Sequence, residues 1–142
     1  YLGAADGTEA RQARLAAALA ERPRPVGVAN PDLVAPRVGF LSVEPGAWAH
    51  ALLDETPGLD VAFYGKPFGN AFEAVMARLG PAAPPPERIA MVGDTLHTDI
   101  LGGAAAGWGT ILITDHGIFA GLDVAPFIAA SGIIPDVIAT TT

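Results

Sequence analysis

The 142-residue sequence contains no cysteine, which removes disulfides, thiolate-held zinc and thiol nucleophiles. Lysine is almost missing as well: of eight basic residues, seven are arginine and one is Lys66. Fifteen acidic side chains outweigh them, giving a formal charge of −7 and a pI near 4.7. A surface that follows a nucleic-acid backbone needs clustered Lys and Arg, so no nucleic-acid partner is expected. No apolar run reaches the roughly 18 residues of a membrane span. No signal-peptide pattern opens the chain, so no membrane partner is expected and a cytoplasmic setting is. Charged residues make up only 16%, yet hydrophobic residues reach 51%, enough for a globular core and too many for a disordered segment.

What is present alternates between short apolar runs and helical stretches. Thr8 can cap a helix over residues 8–20, with Leu15 and Leu19 on one face. An apolar run at 25–29 stops at the turn Asn30-Pro31-Asp32. Helical spacing over 45–54 points Trp48, Leu52 and Ala51 inward, and spacing over 70–79 does so for Phe72, Val75, Met76 and Leu79. Residues 61–64, 88–92, 110–113 and 137–138 read as strands, and 98–106 and 124–130 as helices. Four prolines within 80–86 mark a surface connection. This order predicts an α/β protein, with a parallel sheet carrying helices on both faces. The chain divides near 58–60.

The stretch Ile89-Ala90-Met91-Val92-Gly93-Asp94-Thr95-Leu96-His97-Thr98-Asp99-Ile100 carries the most chemistry. An apolar strand stops at Gly93, Asp94 follows at once, and Asp99 sits where a helix begins. Open parallel sheets bind ligands at the carboxyl ends of their strands, and Mg²⁺ favours such oxygen ligands. The lone Lys66 lies in the loop Tyr64-Gly65-Lys66-Pro67, after another strand. Carboxylates, a cation and an ammonium together make a pocket for a phosphoryl group. The competing reading has Asp94 as a turn residue and Asp99 in a first helical turn, each favourable without any ligand. His97 is expected to be exposed on that turn, His50 and His116 structural or solvated, and Trp48 and Trp108 core or interface residues. The run Gly102-Gly103-Ala104-Ala105-Ala106-Gly107 lacks the dinucleotide fingerprint and suits close helix packing instead.

Gly65-Lys66-Pro67 followed by Met91-Val92-Gly93-Asp94-Thr95-Leu96-His97-Thr98-Asp99-Ile100 resembles the last two motifs of the haloacid dehalogenase (HAD) superfamily, in the form found in subclass IIA phosphatases. Ala29-Asn30-Pro31-Asp32 resembles a cap-domain signature of that subclass. The resemblance implies a HAD-like, Rossmann-like core over residues 58–142 and part of an α/β cap over 1–57. It implies Mg²⁺ as cofactor, held directly by Asp94 and supported by Asp99, with Lys66 bridging nucleophile and phosphoryl group. Gly65, Gly93 and Thr95 would support the phosphate loop, while Asn30 and Asp32 would belong to the cap loop near substrate. The implied activity is hydrolysis of a small phosphorylated metabolite through an aspartyl-phosphate. A homodimer is compatible with the acidic surface.

One element of that pattern is missing. The nucleophile motif D-x-D occurs nowhere in the sequence. The nearest match, Ala4-Ala5-Asp6-Gly7-Thr8, would put alanine at the nucleophile position. Two expectations follow: the chain is the C-terminal part of a longer phosphatase, or it is an inactive phosphate-binding or partner-binding relative. A receiver-type signalling domain also combines carboxylates, Mg²⁺ and lysine, but it needs its acidic pair ahead of the lysine.

Overall fold

Thr8 has extended backbone (φ −141°, ψ 148°), and its side chain accepts a hydrogen bond from the Arg11 amide. A hydroxyl thus satisfies one of the N–H groups a helix leaves open at its start, and α1 (Glu9–Glu21) begins there. The computed structural model describes residues 8–141. The nucleophile-like positions Ala4 and Asp6 lie outside the described residues. The chain forms two compact units, one ending at Gly65 and the other beginning at Lys66.

In the first unit α1 is followed by β1 (Val26–Val28), β2 (Val34–Arg37), β3 (Phe40–Val43), α2 (Pro45–Glu55) and β4 (Val61–Phe63). Strands β1 and β4 are parallel neighbours, with Val26 opposite Val61 and Val28 opposite Phe63. Val28, Ala49 and Leu52 are fully buried in this unit, and the Gln12 side chain donates to the Trp48 carbonyl at 2.8 Å, tying α1 to α2. Ala49 rather than Trp48 takes the innermost position, because Pro45, Ala49 and Leu52 share one helical stripe and Trp48 stands beside it, half-buried. The antiparallel hairpin β2–β3, with Val34 opposite Val43, was not expected from sequence. Pro36 interrupts the strand pattern, and a proline inside a strand belongs at an edge. Glu44 closes the hairpin, accepting from the Ser42 hydroxyl at 2.6 Å and the Arg37 guanidinium at 3.0 Å.

The second unit contains α3 (Gly69–Leu79), β5 (Ala90–Gly93), α4 (Leu101–Ala105), β6 (Gly109–Ile113), α5 (Ala125–Ser131) and β7 (Val137–Ala139). Its sheet runs β5-β6-β7, every pair parallel, with Gly93 opposite Leu112 and Ile111 opposite Val137. The apolar core is Leu96, Ile100, Leu112, Phe119 and Val124. Asp136 ties the start of β7 to β6, accepting from the Thr110 amide and hydroxyl at 2.8 and 2.9 Å. Trp108 is a core residue, meeting Phe72 edge-on at 5.1 Å. Of the four α3 residues expected inside, Phe72 is buried and Met76 half-buried, while Val75 and Leu79 are exposed. The helix rests on α4, a short element that covers one row of side chains and leaves the next row to solvent. No helix among the described residues is long and apolar enough to cross a membrane.

Candidate functional site

The site is built where β5 ends. A Cβ on Gly93 would overlap the Asp99 side chain, so a glycine at the strand terminus makes room for a carboxylate directly beneath it. Asp99 is 2% exposed, and its Oδ2 accepts from the amides of Asp94 and Thr95, each at 3.1 Å. Its Oδ1 accepts from the Lys66 ammonium. The Thr95 carbonyl accepts from both Asp99 and Ile100 amides, at 3.0 and 3.2 Å, which opens the turn into π-helical geometry over Leu96–Ile100 before α4 starts. The helix expected from residue 98 is therefore a wide turn followed by a short helix. A carboxylate anchoring two consecutive amides explains the wide turn, since it holds the backbone outside the ordinary helical path.

Asp94 stands half-buried beside this anchor. Its Oδ1 accepts from the Thr95 hydroxyl at 3.3 Å and its Oδ2 from the Ile118 amide at 3.0 Å. Lys66, Gly93, Asp94, Thr95 and Asp99 are thus linked within the second unit. The Lys66 side chain is 44% exposed against 3% for Asp99, so the ammonium faces outward on a buried counter-charge. Gly65 ends the first unit with φ +113°, and the Lys66–Pro67 peptide is cis.

Asn30 and Asp32 lie in the first unit. The Asn30 side-chain oxygen accepts from the Asp32 amide at 3.1 Å, shaping the turn after β1. The Asp32 carbonyl in turn accepts from the Gly46 amide at 2.9 Å. His97 is half-buried rather than exposed, and its Nε2 is closed off from solvent without a hydrogen-bond partner. His50 stacks on Phe63 at 5.0 Å, and His116 lies 3.4 Å from the Thr141 hydroxyl. Sequence reasoning missed Gly117 and Ile118. The Ile118 contact with Asp94 spans 24 residues and uses a backbone amide, which leaves no side-chain signature.

The donor chemistry fits a hard divalent cation. Mg²⁺ binds through one or two carboxylates and keeps several waters. Asp94 has oxygens with remaining lone pairs, whereas Asp99 already serves three donors. Among the described residues no group of three or more His, Asp or Glu side chains gathers around one point.

Solved structures share this fold. A possible sugar phosphatase of the HAD superfamily from Cytophaga hutchinsonii matches with a TM-score of 0.74 and 29% identity over 92% of this chain and 46% of its own. A double mutant of a thermostable NPPase from Geobacillus stearothermophilus matches at 0.66 and 25% identity, over 96% of this chain and 49% of its own. The p-nitrophenyl phosphatase from Archaeoglobus fulgidus matches at 0.73 and 23% identity, over 94% and 49%, a likeness of fold. The chain spans about half the length of each of these structures. No curated protein matches it in sequence. A family model described as HAD-hydrolase-like matches residues 63–139, a span that holds Lys66, Asp94, Asp99 and the whole three-stranded sheet, and the chain therefore belongs to the HAD-hydrolase-like family.

Proposed function

We propose that this chain carries the cation-binding and phosphate-binding part of a Mg²⁺-dependent phosphomonoester hydrolase acting on small phosphorylated metabolites. The observation that carries this reading is the Lys66–Asp99 pair, whose carboxylate also anchors the Asp94 turn. It presents one ammonium and one available carboxylate together at the end of a parallel strand. The family and the phosphatases of similar fold support a phosphate monoester as substrate.

In this reading Asp94 would hold the cation, which when bound would supply positive charge to offset that of the phosphoryl oxygens. Lys66 donates to the same phosphoryl group and offsets charge on its oxygens as the ester bond lengthens. Asp99 keeps Lys66 extended and the Asp94–Thr95 amides aligned, and Gly93 provides the space this requires. A carboxylate nucleophile attacks phosphorus while the ester oxygen leaves with a proton from a neighbouring acid; water then cleaves the aspartyl-phosphate to release phosphate. That nucleophile is not among these 142 residues, which hold no D-x-D. Residues 1–57, with Asn30 and Asp32, act as part of a cap. The same absence favours a second reading, a non-catalytic phosphate-binding or partner-binding module.

The test measures hydrolysis of p-nitrophenyl phosphate by the protein as its gene encodes it, with and without Mg²⁺. Mg²⁺-dependent turnover is expected if that protein carries a D-x-D, and it should be abolished in Lys66→Ala and in Asp94→Asn with circular dichroism unchanged. Wild-type rates from either variant refute the assigned roles. Turnover by a verified 142-residue chain alone would refute a nucleophile supplied from elsewhere, and an encoded protein without D-x-D that binds phosphate but turns nothing over establishes the second reading.

A further inference from the structure

The Asp94 carboxylate is gripped from a distant part of the chain. The Ile118 amide donates to its Oδ2 at 3.0 Å across 24 residues of sequence. Gly117, immediately before, has φ +72°, and a Cβ there would overlap the Asp94 carboxylate. Only glycine combines that backbone conformation with so close an approach. This corner is firmly held. Phe119 is 5% exposed within the core of Leu96, Ile100, Leu112 and Val124, and Ile118 packs against the same cluster. The amides of Thr114 and Asp115, upstream, donate to the carbonyls of Ala139 and Thr140 at 3.0 and 2.9 Å. On its other side Asp94 receives the Thr95 hydroxyl.

We propose that the Gly117–Ile118 corner is a positioning element that fixes the Asp94 carboxylate and thereby sets its affinity for a divalent cation; this rests on the reading of Asp94 as the cation ligand. A carboxylate held in one orientation from both sides does not have to be ordered when the ion arrives, and partners of this kind orient ligands at metal sites generally. Losing such a partner weakens metal binding by about 10- to 100-fold.

The probe is Mn²⁺ titrated into the protein, followed by paramagnetic broadening of the Asp94 and Thr95 amide resonances. Gly117→Ala introduces the overlap. Gly121→Ala is the matched control, because Gly121 has a similar φ of +77° and nothing within 4 Å of an added Cβ. Ile118→Pro removes the amide hydrogen and sets a ring carbon against the Asp94 oxygen that this hydrogen served, and it is the second variant should Gly117→Ala fail to fold. The expected result is a midpoint at least about tenfold higher for Gly117→Ala and Ile118→Pro, with Gly121→Ala matching the wild type. Equal midpoints in all four proteins overturn the positioning role while leaving Asp94 as ligand. An equal shift in Gly121→Ala overturns it too, since backbone strain alone would then suffice. A wild type that shows no broadening overturns the reading of Asp94, and this inference with it.

Discussion

Asp99 shows how a single buried side chain can organise the end of a strand. Its carboxylate receives two backbone amides and the Lys66 ammonium while only 2% exposed. Removing it would leave two amides at the strand end without acceptors, and each buried orphan costs about 1–3 kcal/mol. Asp99→Ala is therefore expected to lower unfolding free energy by about 3 kcal/mol in a urea titration. Lys66→Ala removes the other half of the ion pair, yet the lysine side chain is 44% exposed. Water screens such a charge, and the expected loss is below about 1 kcal/mol. A stable but inactive Lys66→Ala beside a destabilised Asp99→Ala would separate the two roles. Lys66, Asp94 and Asp99 were legible in the sequence because the two carboxylates share one local phrase and the lysine is the only one present. Gly117 and Ile118 were not, because an amide donor is common to almost every residue and only folding selects which one reaches Asp94.

Local rules account well for the elements that pack on one clear face. The helices α1, α2, α3 and α5 and the strands β4 to β7 fall within a few residues of their sequence reading. Two elements departed from it. The β2–β3 hairpin lacks a clean alternating pattern and holds Pro36, so pairing of Val34 with Val43 was invisible until the two strands met. The turn after β5 widened because of the Asp99 anchor, a contact no propensity encodes. In α3 the periodic apolar set was real, but burial was decided by what lay opposite. Phe72 meets Trp108 and α4, and Phe72→Ala is expected to cost about 3 kcal/mol by chemical denaturation. Leu79 is 47% exposed, so Leu79→Ser should stay within about 0.5 kcal/mol of wild type. Equal losses at the two positions would mean that the outer row of α3 is covered in solution.

On the scale of the whole molecule, charge and composition act without reference to any one contact. At −7 the chain repels a phosphate backbone, and no retardation of a DNA duplex is expected in a gel-shift assay at physiological salt. Binding there would require a basic surface that eight basic residues against fifteen acidic ones do not suggest. The sequence by itself determined the α/β alternation and the family, and it set two carboxylates and the lone lysine in short recognisable phrases. Those properties reside in side-chain type and short spacing, which survive without knowledge of distant neighbours. Tertiary structure alone decided that Asp99 is an internal anchor and Asp94 the more open carboxylate. It decided too that Ile118 reaches across to hold Asp94, and that half of the apolar face of α3 stays in water. Each of these depends on which segments lie side by side after folding, and burial and hydrogen bonding are properties of those neighbours rather than of the residue alone.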